Sequence, residues 1–101
     1  MTDNMLIDRL AQQVLHWGVG PDRFLTGNRS WIPRWKFNPS ERLEDAFRLL
    51  DHARPTRYAL SQTGGVFAVE VECDAKGGKA TDDFKPRAIT LALARSLGLE
   101  A

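Results

Sequence analysis

Apolar residues recur at three- and four-residue spacing over residues 3–17, with Leu6, Ile7, Leu10, Ala11, Val14 and Leu15 on one stripe. That period predicts an amphipathic helix, capped at Thr2 or Asp3 and stopped at Gly18. A second stripe, Leu43, Ala46, Phe47, Leu50 and Ala53, predicts another helix. Its start is expected at Asn38-Pro39-Ser40-Glu41, where Asn38 (or Ser40) caps, Pro39 takes the first helical position and Glu41 serves a capping box. Pro55 stops it, because Arg54 is pushed out of helical geometry. The period then changes to two. Arg57–Thr63 and Val66–Cys73 read as strands, the second with Phe67, Val69, Val71 and Cys73 on one face and Glu70 and Glu72 on the other. Gly64-Gly65 between them is a two-residue hairpin signal. Residues 74–83 are polar and glycine-bearing and read as a loop. Residues 84–97 read as a final helix with Ala88, Ile89, Ala92, Leu93 and Leu97 buried, Asp82 or Asp83 as cap and Gly98 as stop.

Residues 18–37 fit neither period. Gly18, Gly20, Pro21, Gly27-Asn28 and Pro33 punctuate them, so the expectation is a long irregular loop, with a short edge strand possible within 31–37. The predicted order is α-(β)-α-β-β-α. This is a small layered α+β sandwich whose helices pack on a short antiparallel sheet, because a hairpin alone is marginal in water.

The 101 residues suit a single domain, 1–101, and 43% hydrophobic with 27% charged residues is ordinary for a globular chain. A net charge of +1 provides no overall field to recruit nucleic acid or anionic lipid. One cysteine, Cys73, excludes an internal disulfide framework. No apolar run is long enough to span a membrane. The first residues carry Asp3 and Asp8 and do not read as a signal peptide, so the expected compartment is a reducing cytoplasm.

Candidate chemistry concentrates in the irregular segment. Arg23, Arg29, Arg34 and Lys36 face one acid, Asp22, and interleave with Phe24, Trp31, Trp35 and Phe37. The binding candidates are therefore Arg23, Phe24, Arg29, Trp31, Arg34, Trp35 and Lys36, a composition that suits an interface hot spot or base stacking with phosphate contacts. The competing reading places the rings in the core, because so small a domain needs its large side chains there.

Other constellations are weaker. Gly77-Gly78-Lys79-Ala80-Thr81 resembles a phosphate loop by placement, but it lacks the upstream glycine and the Ser/Thr, and Asp82 and Asp83 would repel an anion. His16, His52 and Cys73 have no paired metal spacing; the histidines suit helix C-termini and Cys73 a strand core. Glu70 and Glu72 share a strand face as solvated charges. No nucleophile, base and oxyanion donor converge, so no catalysis, metal or cofactor is expected.

The order of motifs is similar to the phage ABA-sandwich domain family, and also to the Nin-region family of small lambdoid phage proteins. The pieces that carry the likeness are Val14-Leu15-His16-Trp17-Gly18, then Phe37-Asn38-Pro39-Ser40 with Ala46-Phe47, and Pro86-Arg87-Ala88-Ile89 with Ala92-Leu93. The resemblance implies a helix–sheet–helix sandwich of mobile-element origin and brings no catalytic residues. The chain departs from it at Asn38, usually serine, and in the tryptophan- and arginine-rich segment 18–37. The functional expectation is an accessory protein of phage or prophage type that binds a host or phage protein. The alternative is a nucleic-acid or nucleotide binder working through residues 23–37. A homodimer is also expected, because an edge strand must be covered or paired.

Overall fold

The computed structural model describes residues 3–26, 30–73 and 76–99. Among these residues, three helices, α1 (Asp3–Val14), α2 (Leu43–Ala53) and α3 (Lys85–Ser96), combine with six strands. The strands form two antiparallel sheets of three. The short sheet is β1 (Gly18–Val19), β2 (Arg23–Leu25) and β3 (Trp31–Pro33), and the long sheet is β4 (Arg57–Thr63), β5 (Val66–Cys73) and β6 (Lys76–Asp82), each in chain order. The α+β class and the element order agree with the sequence pattern.

The first correction concerns residues 18–37. They are not a loop. Within the described residues they make a meander in which Val19 pairs with Phe24 and Phe24 with Ile32, followed by a 3-10 turn at Arg34–Lys36. Pro33 is tolerated because β3 is an edge of its sheet. The second correction is β6. The sequence Lys-Gly-Gly-Lys-Ala-Thr-Asp reads as a loop, yet it pairs with β5 from Phe67↔Asp82 to Cys73↔Lys76. The phosphate-loop placement disappears with it.

Two helix boundaries also move. α1 stops at Val14, and His16 takes a left-handed backbone (φ 58°) that lets the Trp17 amide donate to the Ala11 carbonyl at 3.0 Å. The turn therefore closes at His16, and Gly18 opens a strand instead. α2 starts at Leu43, not at Asn38-Pro39. Asn38–Glu41 form a separate turn, closed by Glu41 and Arg42 amides on the Asn38 carbonyl, and the Asp45 carboxylate accepts the Asn38 amide at 2.9 Å. Asp45 thus reaches back across seven residues to hold the approach that Glu41 was expected to hold. Arg54, ahead of Pro55, leaves the helix with φ 49°.

The hairpin β4–β5 matches its expected bounds. Thr63 pairs with Val66, and Gly64 and Gly65 both have positive φ (57° and 80°), which a two-residue turn requires. α3 lies on β5 and β6, α2 packs on α3, and α1 packs on α2 and β1. α3 covers one face of the long sheet, with α2 and α1 stacked behind it; no helix covers the other face among the described residues. One contiguous core joins Leu6, Leu10, Leu49, Leu50, Val69, Val71, Ile89 and Leu93. Buried Thr90 ties α3 to the approach of α2 by donating to the Pro39 carbonyl at 2.8 Å.

Candidate functional site

The short sheet sorts the interleaved rings and cations by strand period. Phe24 and Ile32 are cross-strand partners and point inward; Phe24 is fully buried. It meets Trp17 and Phe37 with centroids at 6.0 and 5.7 Å, and Trp17 and Phe37 meet edge to face at 5.0 Å. This aromatic trio fills the space between the short sheet and the helices. Phe24 is therefore core and leaves the list of binding candidates.

Arg34 is corrected as well. Its guanidinium pairs with Asp8 of α1, donates to the carbonyls of Gly20 (2.8 Å) and Pro21 (3.3 Å), and lies 4.9 Å from the Phe24 ring centroid. The side chain is half-buried, and each of its three nitrogens donates to an acceptor of its own chain. It pins the β1–β2 turn to α1, so its first role is structural. Arg29 lies outside the described residues.

Four candidates do reach the surface. Trp31 is 52% exposed and Trp35 71% exposed. Arg23 lies over the Trp31 ring at 4.7 Å, and the Lys36 ammonium lies 5.6 Å from the Trp35 ring. Each indole thus carries a cation against its π face, in cation–π geometry. Arg23 and Pro33 are cross-strand partners, as are Leu25 and Trp31, so these four share the outward face of the short sheet. Asp22, Arg23, Trp31, Ile32 and Pro33 line an open cleft. A second cleft is lined by Asn4, Ile7, Asp22, Arg34, Trp35, Phe37 and Asn38. Asp22 belongs to both, so the two indoles stand over adjoining ground. The aromatic trio and Arg34 lie beneath this surface and tie it to the helices.

The weaker constellations resolve plainly. Cys73 is buried, as its strand position predicted, with the Ser96 hydroxyl 3.8 Å from its sulfur. Glu70 pairs with Arg57 at 3.3 Å and lies opposite Lys79, so it is a charge-matched position on the open sheet face. His16 and His52 do come together: with Val14, Asp51 and Arg54 they line one open cleft at the ends of α1 and α2. Sequence spacing gives no sign of this, since only the packing of α1 on α2 brings the two helix ends side by side. Among the described residues, no group of three or more His, Cys, Asp or Glu is placed to hold a metal ion, and no helix is long and apolar enough to cross a membrane.

No protein-family model and no curated protein matches the chain. Among solved structures, a phage protein from Bacillus cereus has the same fold: the TM-score is 0.81 at 14% sequence identity, over 100% of this chain and 92% of that one.

Proposed function

We propose that the chain is a small phage-type accessory protein that acts by binding a protein of the host or the phage, with no catalysis of its own. The observation that carries this is the pair of solvent-exposed indoles standing above a buried aromatic cluster. A small domain places large rings in its core unless they serve outside it, and exposed Trp beside Arg and Pro is the composition of an interface hot spot. Membership of the phage ABA-sandwich family or of the Nin-region family is part of the same proposal. It draws on the motif likeness and on the fold shared with a phage protein.

Nucleic acid is the second reading, because Arg23 over Trp31 is also a geometry for stacking a base beside a phosphate. It is the weaker one. Arg34 is paired with Asp8 and Arg23 with Asp22, and Asp22 stands in both clefts, so little of the positive charge of this surface is left unmatched for phosphates.

Capture from host lysate by the wild-type chain and by the Trp31→Ala/Trp35→Ala double variant, with and without nuclease, separates the readings. The proposal expects a specific protein retained by the wild type, lost by the variant, and indifferent to nuclease and moderate salt. Capture that nuclease abolishes, with affinity falling steeply in added salt, would support the nucleic-acid reading. Equal capture by both chains would remove the indoles from function.

A further inference from the structure

The two edges of the long sheet are treated differently. β6 is guarded: α3 packs along it, exposed Lys76 and Lys79 stand on it, and Arg95 of α3 donates to the Lys79 carbonyl at 2.6 Å. Lysines and covering side chains are the usual protection of a sheet edge. β4 has none of these. All seven of its residues are exposed, its one charge is Arg57 at the end, it contains no proline, and its register with β5 runs from Arg57↔Glu72 to Thr63↔Val66 without a bulge.

The face of β4 that continues the core is also unfinished. Tyr58 pairs with buried Val71 and Leu60 with buried Val69, so both lie on the helix-covered side of the sheet. α3 covers β5 and β6 and stops short of β4, leaving Tyr58 51% and Leu60 37% exposed.

We propose that β4 pairs antiparallel with β4 of a second copy about a two-fold axis at Leu60, making one six-stranded sheet across a homodimer. The strand is complementary to itself in that register. Leu60 meets Leu60 of the second copy, Tyr58 meets Gln62, Ala59 meets Ser61, and Arg57 meets Thr63. All seven residues find a partner and no like charges face one another. Tyr58 also lies diagonal to Leu60 of the other copy, within reach of an aromatic ring. The guarded β6 edge explains why association stops at two: an open β4 meets an open β4, and no second open edge is left to extend the sheet. The interface lies on the long sheet and leaves Trp31 and Trp35 free, so it stands apart from the proposed function.

Sedimentation of the full chain at micromolar concentrations is expected to give twice the 11.4 kDa of one chain. Leu60→Lys or Leu60→Glu alone sets two like charges against each other across the axis, and each is expected to raise the dimer Kd about tenfold or more. Mixing the two variants in equal amounts is expected to restore the dimer. A mixture of Ala59→Cys and Ser61→Cys chains, with Cys73 buried, is expected to form the mixed disulfide on oxidation, which tests the register without a buried charge. Far-UV circular dichroism melting checks that each variant is folded. A monomeric wild type, variants that remain dimeric, or mixtures that neither re-associate nor cross-link would overturn the inference.

Discussion

Arg34 shows how a residue that reads as a ligand contact becomes a structural one. In the sequence it alternates with rings, between Pro33 and Trp35, and so reads as one of several cations projecting together. Its fate is decided by Asp8, 26 positions away, and by two carbonyls that turn towards it when β1 and β2 pair. Nothing local in the sequence reports such a partner. Removing it strands Asp8 without its cation and uncovers one side of Phe24, so Arg34→Ala is expected to cost about 2–3 kcal/mol in urea denaturation. Exposed Arg23, paired at 3.6 Å with a surface aspartate, is the control, and Arg23→Ala is expected to stay within about 0.5 kcal/mol. The tryptophans divide the same way. Trp17→Ala opens the aromatic trio and is expected to cost about 3–5 kcal/mol, whereas Trp35→Ala is expected to leave the melting temperature nearly unchanged. Strand period would have separated Phe24 from Arg23 had residues 23–25 been read as a strand, but three residues between Pro-Asp and Thr-Gly are too few to show a period.

At the scale of elements, legibility follows how much of an element is set by its own residues. The apolar stripes of α1, α2 and α3 and the alternation of β5 are intrinsic, and the sequence shows them. β6 is not intrinsic. Two glycines and two lysines in seven residues are poor strand formers, and the segment is extended because β5 offers it a ladder and α3 presses on it. The glycine that hides the strand from a sequence reading is what the packing requires. A Cβ at Gly78 would stand 2.3 Å from the Ala92 carbonyl oxygen and 2.3 Å from the Ser96 amide, both backbone atoms of α3. Helix and strand therefore touch directly at this point, and no side-chain motion relieves the clash. Gly78→Ala is expected to cost about 3 kcal/mol, the upper part of the overpacking range, by forcing α3 away from the sheet. Gly77 has nothing within 4 Å, so Gly77→Ala is expected to be neutral or slightly stabilising. Urea midpoints for the two variants compare one added methyl at adjacent positions, and equal losses would mean that α3 does not approach β6 this closely.

For the whole molecule, the question is whether the short sheet with its indoles is a separate appendage or part of one cooperative unit. The sequence reading treats residues 18–37 as a loop attached to a helix-and-hairpin body. In the structure the buried cluster is one: Phe24, Phe37 and Trp17 belong to it together with Leu10, Leu49, Leu93, Val69 and Val71. Arg34 adds a polar tie from β1–β2 to α1, and Arg48 of α2 lies 5.0 Å from the Trp17 ring. A loop could melt without the body; a sheet that shares the core is expected to melt with it. Trp17 is the natural reporter of that junction, since it is buried while Trp31 and Trp35 are exposed. In a Trp31→Phe/Trp35→Phe background its fluorescence reads the aromatic trio alone, and far-UV circular dichroism reads all three helices. Two-state unfolding requires the two thermal transitions to coincide. Coincidence is the expected result, with a single midpoint shared by both probes. A fluorescence transition several degrees below the helical one would mean that the short sheet loosens first. The indole surface would then be a mobile flap and not the rigid platform on which the proposed binding role depends.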